Sequence, residues 1–394
     1  MSVRIEALIK PELLAWARKD AGYSIEAAAA KLKIKADKLE RWETGDLRLT
    51  IGQLRKVAAL YKRPISVFYL PRPPKIFQPL KDFRRFPDQK ELPLSPSLIY
   101  EIRLARERRE IALGLFDEIG ESPPRLNLKV NLNRNPELVA REIRQQLGIG
   151  KDDQLKWPGY HAAFNSWKKA LETYGILIFQ APRISPAEMR GFSLSQKPLP
   201  IIVINTSDWI GARIFSLLHE FIHILRNEES LCDFSDEENR SSYEQGTEVF
   251  CNRVAGALLV PPDDLLNERI VKNNTNLPFW DNDTIWSLAR RYKVSREVIL
   301  RRLLILGKTT TDFYLEKREE YQAPPVSRNK GKKEIRIPFH IKVLARTGRP
   351  YAQLILTSFN REKITSSDLS SYLGIKLNHV AKLEAEISQP FASS

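Results

Sequence analysis

The chain has only two cysteines and two methionines in 394 residues. Two cysteines, Cys232 and Cys251, cannot build the disulfide framework that staples small secreted domains, and so few thiols agree with a reducing compartment. Long hydrophobic runs are missing too. No stretch reaches the ~18 apolar residues that a membrane-spanning helix needs, and the N-terminus lacks the basic-then-apolar pattern of a signal peptide. A cytoplasmic protein without membrane association is expected. Histidine is nearly as scarce, at five residues, and acidic residues are outnumbered by Lys and Arg, 48 to 63, for a net charge of +15. An excess of that size points to an acidic partner, most often nucleic acid.

What is present is the composition of a folded protein, 42% hydrophobic and 28% charged, in a chain too long for one ordinary core. Proline-rich stretches suggest where to divide it. Pro71-Arg72-Pro73-Pro74 ends a first segment, residues 1–74; Ser122-Pro123-Pro124 closes a connector, 75–125; and Pro324-Pro325 opens a basic linker through Lys333 that separates a third segment, 126–325, from a last one, 326–394.

In the first segment Leu13-Leu14-Ala15-Trp16-Ala17 recurs at helical spacing, and Ser24 suits the N-cap of a second helix. Lys31 to Ile34 reads as a turn and Lys35 to Glu43 as a third helix stopped by Gly45. Two short helices joined tightly make a helix-turn-helix. Tyr23-Ser24-Ile25-Glu26-Ala27-Ala28-Ala29, Leu39-Glu40-Arg41-Trp42-Glu43-Thr44-Gly45 and Thr50-Ile51-Gly52-Gln53-Leu54 together resemble the Cro/CI-like (XRE) family. That resemblance implies a recognition helix in the major groove, with Lys35, Lys38 and Arg41 facing DNA, and two copies of the chain on a two-fold site. The segment holds about twice as many Lys and Arg as Asp and Glu, which suits phosphate contact. One departure is visible: Lys33 stands where the turn usually carries glycine, and long cations fill positions that often read bases.

The connector carries a single amphipathic helix, Ser97 to Gly120, with Leu98, Ile102, Ala105, Ile111, Leu115 and Ile119 on its apolar face. Beyond it, Pro136 to Leu147 and Ala162 to Tyr174 read as helices. The period then changes at Gly175. Ile176 to Phe179, Gly191 to Ser195 and Ile201 to Asn205 are short β-branched and aromatic runs, expected to form a small antiparallel sheet whose edge could hold an extended peptide.

Arg213 to Leu225 follows, apolar nearly all round and therefore buried. Inside it lies His219-Glu220-Phe221-Ile222-His223, an H-E-x-x-H. On a helix the two histidines sit one turn apart and aim at one point, with Glu220 within reach of it. That is the geometry of a zinc hydrolase. Burying these groups without partners would cost several kcal/mol, which favours a metal that uses them. Such a zinc needs a third protein ligand. After an acidic loop, Asn227 to Asn239, a second helix runs from near Tyr243 to Pro261; Glu248, Asn252 and the small pair Ala255-Gly256 share one face of it. Glu248 is the expected third ligand, with Glu244 one turn earlier as the alternative. Cys232 and Cys251 flank the motif and are weaker candidates.

The succession H-E-x-x-H, E-x-x-x-N and A-x-x-L-L-x-P resembles the ImmA/IrrE family of zinc metallopeptidases. Asp82-Phe83-Arg84 resembles that family's linker, and Ile285 to Arg302 its downstream helical pair. The resemblance implies an α+β, mostly helical protein: an all-α helix-turn-helix domain, a zincin-like peptidase domain with a small antiparallel sheet, and a small C-terminal α/β domain. It implies an endopeptidase that cleaves a helix-turn-helix repressor and so induces the genes it silences. Zn2+ would be held by His219, His223 and Glu248, with Glu220 as the catalytic proton carrier. Two departures stand out, namely Phe221-Ile222 before the second histidine and a bulky Val249 to Cys251. A DNA-binding regulator or antitoxin-like protein, with the peptidase fold as sensor or scaffold, is the alternative reading. In the last segment, Ile364 to Gly374 and Leu377 to Leu383 read as a short helix pair, and His340 and His379 are too isolated to be ligands.

Overall fold

A computed structural model describes residues 5–74, 94–228, 230–232, 242–274, 278–322 and 338–388. The Asp82-Phe83-Arg84 stretch and the basic linker from Pro324 to Lys333 lie outside these residues, as does most of the acidic loop. The described residues up to 107 form one compact unit and those from 108 onward a second. Among the described residues no helix is long and apolar enough to cross a membrane.

The first unit is all helical. Helix α1 (Pro11–Asp20) starts on a proline, which needs no N–H partner at that position. Helix α2 (Ile25–Leu32) begins where Ser24 Oγ accepts from the Ala27 N–H at 3.1 Å. Its C-cap is Lys33 at φ 58°, ψ 46°, a left-handed conformation that glycine adopts more readily. Helix α3 (Ala36–Thr44) stops at Gly45 with φ 89°. Helix α4 (Ile51–Tyr61) opens on a capping box in which Thr50 and Gln53 satisfy each other's backbone N–H. Leu13, Leu14, Leu39, Trp42, Leu54, Tyr61 and Phe68 fill the core between these helices. Arg18 grips Glu43 through two bonds of 2.8 and 2.9 Å and so ties α1 to α3. Residues 96–107 of the next helix, α5 (Pro96–Glu118), also belong to this unit; Arg103 donates to Asp20 at 2.9 Å.

In the second unit, α6 (Pro136–Leu147), α7 (Lys151–Lys156) and α8 (Tyr160–Glu172) precede the strands β1 (Leu177–Ala181), β2 (Gly191–Leu194) and β3 (Ile201–Asn205). Then come α9 (Ile210–Leu225), β4 (Ser230–Cys232) and α10 (Ser242–Leu259). The sheet order is β1-β3-β2-β4. It is mixed rather than wholly antiparallel: β2 is antiparallel to β3 and β4, but β1 runs parallel to β3, with Leu177 opposite Ile201. All residues of β1 and β3 are buried, so neither strand carries the in–out alternation that would reveal its neighbours.

Helix α9 packs on β2, β3, α8 and α10, and α10 packs on α6. The end of α10 is held by side chains from three other helices. Arg144 donates to the Leu258 carbonyl, Gln154 to that of Leu259 at 2.8 Å, and Arg302 Nε to that of Val260 at 2.9 Å. These are the carbonyls a helix end leaves without partners, and two cations there also suit the helix dipole. Arg302, 1% exposed, also grips Glu137 through bonds of 2.6 and 2.8 Å. It belongs to α14 (Arg296–Ile305), which follows α11 (Pro262–Asn267), α12 (Arg269–Lys272) and α13 (Asn282–Tyr292) and precedes α15 (Thr311–Gln322). Gly256 was expected on the face of α10 toward the histidines; a Cβ there would instead meet Arg302 Cδ at 3.3 Å, so its smallness serves the packing of α14.

The last segment holds α16 (Phe339–Thr347), α17 (Arg349–Asn360), α18 (Ser366–Leu373) and α19 (Val380–Ser388). Among its described residues it is helical, without the strands expected of an α/β domain. Its apolar residues Val343, Tyr351, Leu354, Ile355, Leu369 and Leu373 recur at helical spacing, and Thr365 with Asp368 caps α18. Helix α16 packs against β1, and Tyr351 meets Phe179 edge-on at 5.7 Å.

Candidate metal centre

Helix α9 is buried along nearly its whole length because its apolar residues encircle it; His219, Glu220 and His223 are each 0% exposed. The spacing of four residues stacks the two imidazoles on one side, and their Nε2 atoms lie 3.1 Å apart. Helix α10 crosses this helix and brings Glu248, 2% exposed, to the same point. Its Oε2 lies 3.3 Å from His219 Nε2 and its Oε1 3.1 Å from His223 Nε2. Two further contacts tie α10 to the end of α9. Arg226 donates to Thr247 Oγ1 at 3.3 Å, and its guanidinium stacks 5.4 Å from the Phe250 ring.

Among the described residues, His219, His223 and Glu248 form a group of metal-ligand type, each with an atom within 4.8 Å of the others. Tetrahedral zinc with nitrogen and oxygen ligands at ~2.0–2.1 Å separates those ligands by roughly 3.3 Å. The observed separations of 3.1 to 3.3 Å match that span. The donor set fits zinc in kind as well, two imidazole nitrogens and a carboxylate oxygen. Electrostatics agree: burial alone would raise the Glu248 carboxyl, but the facing His219 and His223 hold it well below the usual carboxylate range. The carboxylate is thus in the form a cation binds.

Two neighbours were not singled out in the sequence. Glu228, just past α9, places Oε2 3.6 Å from His223 Nδ1. Partial burial would raise its carboxyl, and His223 and Arg226 outweigh this and lower it. A carboxylate behind a ligating histidine is a common device for fixing the ring and raising its basicity, and that expectation could have drawn attention to an acid so soon after the motif. Gly191 starts β2; a Cβ there would meet Glu220 Cγ at 3.1 Å and Oε1 at 3.2 Å. Glu220 is therefore seated against a strand position where hydrogen is the only side chain with room to spare.

The remaining candidates fall elsewhere. Glu244 lies in α10, but its side chain is outside the described residues, as is that of Cys232. Cys251 is buried next to the site without belonging to the ligand group, and burial pushes its thiol up, away from the thiolate a metal prefers. Asn252 lies one turn beyond Glu248 and is buried. In the first unit Lys35, the N-cap of α3, and Arg41 within that helix are exposed, whereas Lys38 is half-buried with Nζ 5.6 Å from the Trp42 ring.

Residues 171–304 match the peptidase family model described as IrrE N-terminal-like domain. Residues 12–66 match the model described as helix-turn-helix domain. No curated protein matches the chain. The chain therefore joins an N-terminal helix-turn-helix domain to a domain of the ImmA/IrrE type, in an α+β, mostly helical architecture.

Proposed function

We propose that this protein is a zinc-dependent endopeptidase and DNA-binding regulator that cleaves a helix-turn-helix repressor to derepress its genes. The observation that carries the proposal is the convergence of His219, His223 and Glu248 within 4.8 Å, with Glu220 buried beside them. The helix-turn-helix domain supports the second half: it would bring the enzyme to DNA where a repressor sits, in the cytoplasm, and as a dimer on a two-fold site.

His219, His223 and Glu248 would hold the ion, and Glu228 would keep the His223 ring in the orientation that points Nε2 at it. Bound zinc supplies Lewis acidity to a water and to the scissile carbonyl. Glu220 acts on the proton: its carboxylate takes it from the attacking water and delivers it to the departing amine. Its position against Gly191 limits the carboxylate to a narrow range of placements, which favours transfer along one path. Helix α9 and the sheet exclude bulk water from the inner side of the site, so charges there act in a low dielectric.

The test is co-expression with small helix-turn-helix repressors encoded beside this protein, wild type against Glu220→Gln, read by immunoblot of the repressor. Cleavage by the wild type alone is expected. A repressor left intact by a wild-type preparation that carries stoichiometric zinc would overturn the peptidase assignment and favour the regulator that uses the fold as sensor or scaffold.

A further inference from the structure

A cleft of about 500 Å³ opens beside the metal centre, within the second unit. Its floor is one helical turn from two of the proposed ligands. Phe215 precedes His219 by a turn of α9 and stacks on it at 6.2 Å, and Asn252 follows Glu248 by a turn of α10. The cleft's charge is lopsided. Among the described residues Arg190, Arg253, Arg301 and Arg318 line it with one carboxylate, that of Glu297, which lies 3.7 Å from Arg318; Arg190 also has Asp208 Oδ2 at 3.8 Å. These guanidiniums come from four separate places in the fold: the residue before β2, the middle of α10, α14 and α15. Arg253 is exposed and Arg301 half-buried. Between them the wall is apolar, formed by Val298, Leu304, Ile305 and Leu315.

Accepting that the centre is a peptidase site, we infer that this cleft is its substrate-recognition groove and that it selects a peptide segment carrying acidic side chains next to large apolar ones. Guanidiniums bind carboxylates through paired, charge-assisted hydrogen bonds, so several of them in one groove discriminate by charge. The apolar wall separates this ligand from a plain anion, which would gain nothing from Val298 or Leu315. A cleft of about 500 Å³ is too small to enclose a nucleic-acid duplex. An extended or helical peptide meets both requirements.

The experiment uses the full chain with Glu220→Gln, so that binding is read without turnover, and three fluorescein-labelled peptides of equal length that pair leucine with Glu, Gln or Lys. Fluorescence anisotropy at fixed ionic strength gives the affinities, and metal analysis of the same preparations gives zinc content. The Glu peptide is expected to bind at least ~10-fold tighter than the Gln peptide, with the Lys peptide weakest. Arg253→Glu combined with Arg301→Glu should abolish that preference, and the milder Arg253→Gln should reduce it, with zinc content unchanged in both. Equal affinity for the three peptides overturns the inference, as does a preference that survives the double substitution or displacement of the peptide by duplex DNA or by inorganic phosphate alone. A preparation without zinc that still prefers the Glu peptide would count against the metal-centre reading while upholding the groove.

Discussion

His223 Nε2 lies 3.1 Å from Glu248 Oε1, and both side chains are buried. One belongs to the helix that bears the histidine pair and the other to the helix after the acidic loop, so the carboxylate is brought in by helix packing and not by local spacing. Glu248→Gln keeps the shape and removes the charge that a cation needs. It is expected to weaken zinc retention by more than ~100-fold, beyond the effect typical of residues behind the ligands. Dialysis against a graded zinc buffer followed by metal analysis measures this. Retention equal to wild type would show that another residue supplies the third ligand.

Gly191→Ala tests the seat of Glu220. The new methyl would meet Glu220 Cγ at 3.1 Å and Oε1 at 3.2 Å, with Ile204 Cδ1 at 3.3 Å on its other side. Since Ile204 is itself buried in β3, a shift of a few tenths of an ångström is expected to fall on the Glu220 side chain. A displacement of this kind costs on the order of 10–100-fold in turnover. Zinc content and overall fold should be retained. Steady-state cleavage of the co-expressed repressor, with metal analysis on the same sample, separates a shifted proton carrier from a lost metal.

Much of this centre was legible in the sequence because it rests on local periodicity. Four-residue spacing aims His219 and His223 together, and in the first unit Ser24 and Gly45 mark helix ends by chemistry that needs no tertiary partner. The third candidate ligand, Glu248, was readable only as a face of a helix, Glu228 only as an acid soon after the motif, and Gly191 not at all, since each depends on where a second element lands. The same reason hid the direction of β1 beside β3, for which fully buried strands give no signal. It also hid the contact of Tyr351 with Phe179, distant in the chain. The packing of the turn at Gly348 on the Ile178 carbonyl was hidden for the same reason, since no window of local sequence contains it.

Glu172 should make stability depend on pH in the direction opposite to most carboxylates. It is buried beside Lys168 Nζ at 3.5 Å; burial raises its carboxyl above the ordinary 4.5, and Lys168 and Arg349 only partly offset this. A carboxyl raised in the folded state contributes stability that is complete below the unfolded value and lost as pH rises through the folded one. Melting temperatures of the wild type should therefore fall, relative to Glu172→Gln, as pH is raised from about 4.5. Parallel curves for the two proteins would show that Lys168 fully compensates the burial.

The proposed DNA contacts at the start of and along α3 give the last prediction, because the three cations do not stand alike. Lys35 and Arg41 are exposed, whereas the Lys38 ammonium leans over Trp42 at 5.6 Å. A cation held to its own helix by an aromatic face is less available to a phosphate. Each lost phosphate contact lowers the salt dependence of binding by roughly one, in log affinity against log salt. Lys35→Ala and Arg41→Ala are each expected to reduce that slope by about one, and Lys38→Ala by distinctly less. Titrations of a labelled duplex over a range of salt concentrations measure all three. A slope unchanged by Lys35→Ala and Arg41→Ala would move the DNA contact off α3, and an equal loss in Lys38→Ala would mean that its ammonium leaves Trp42 on binding.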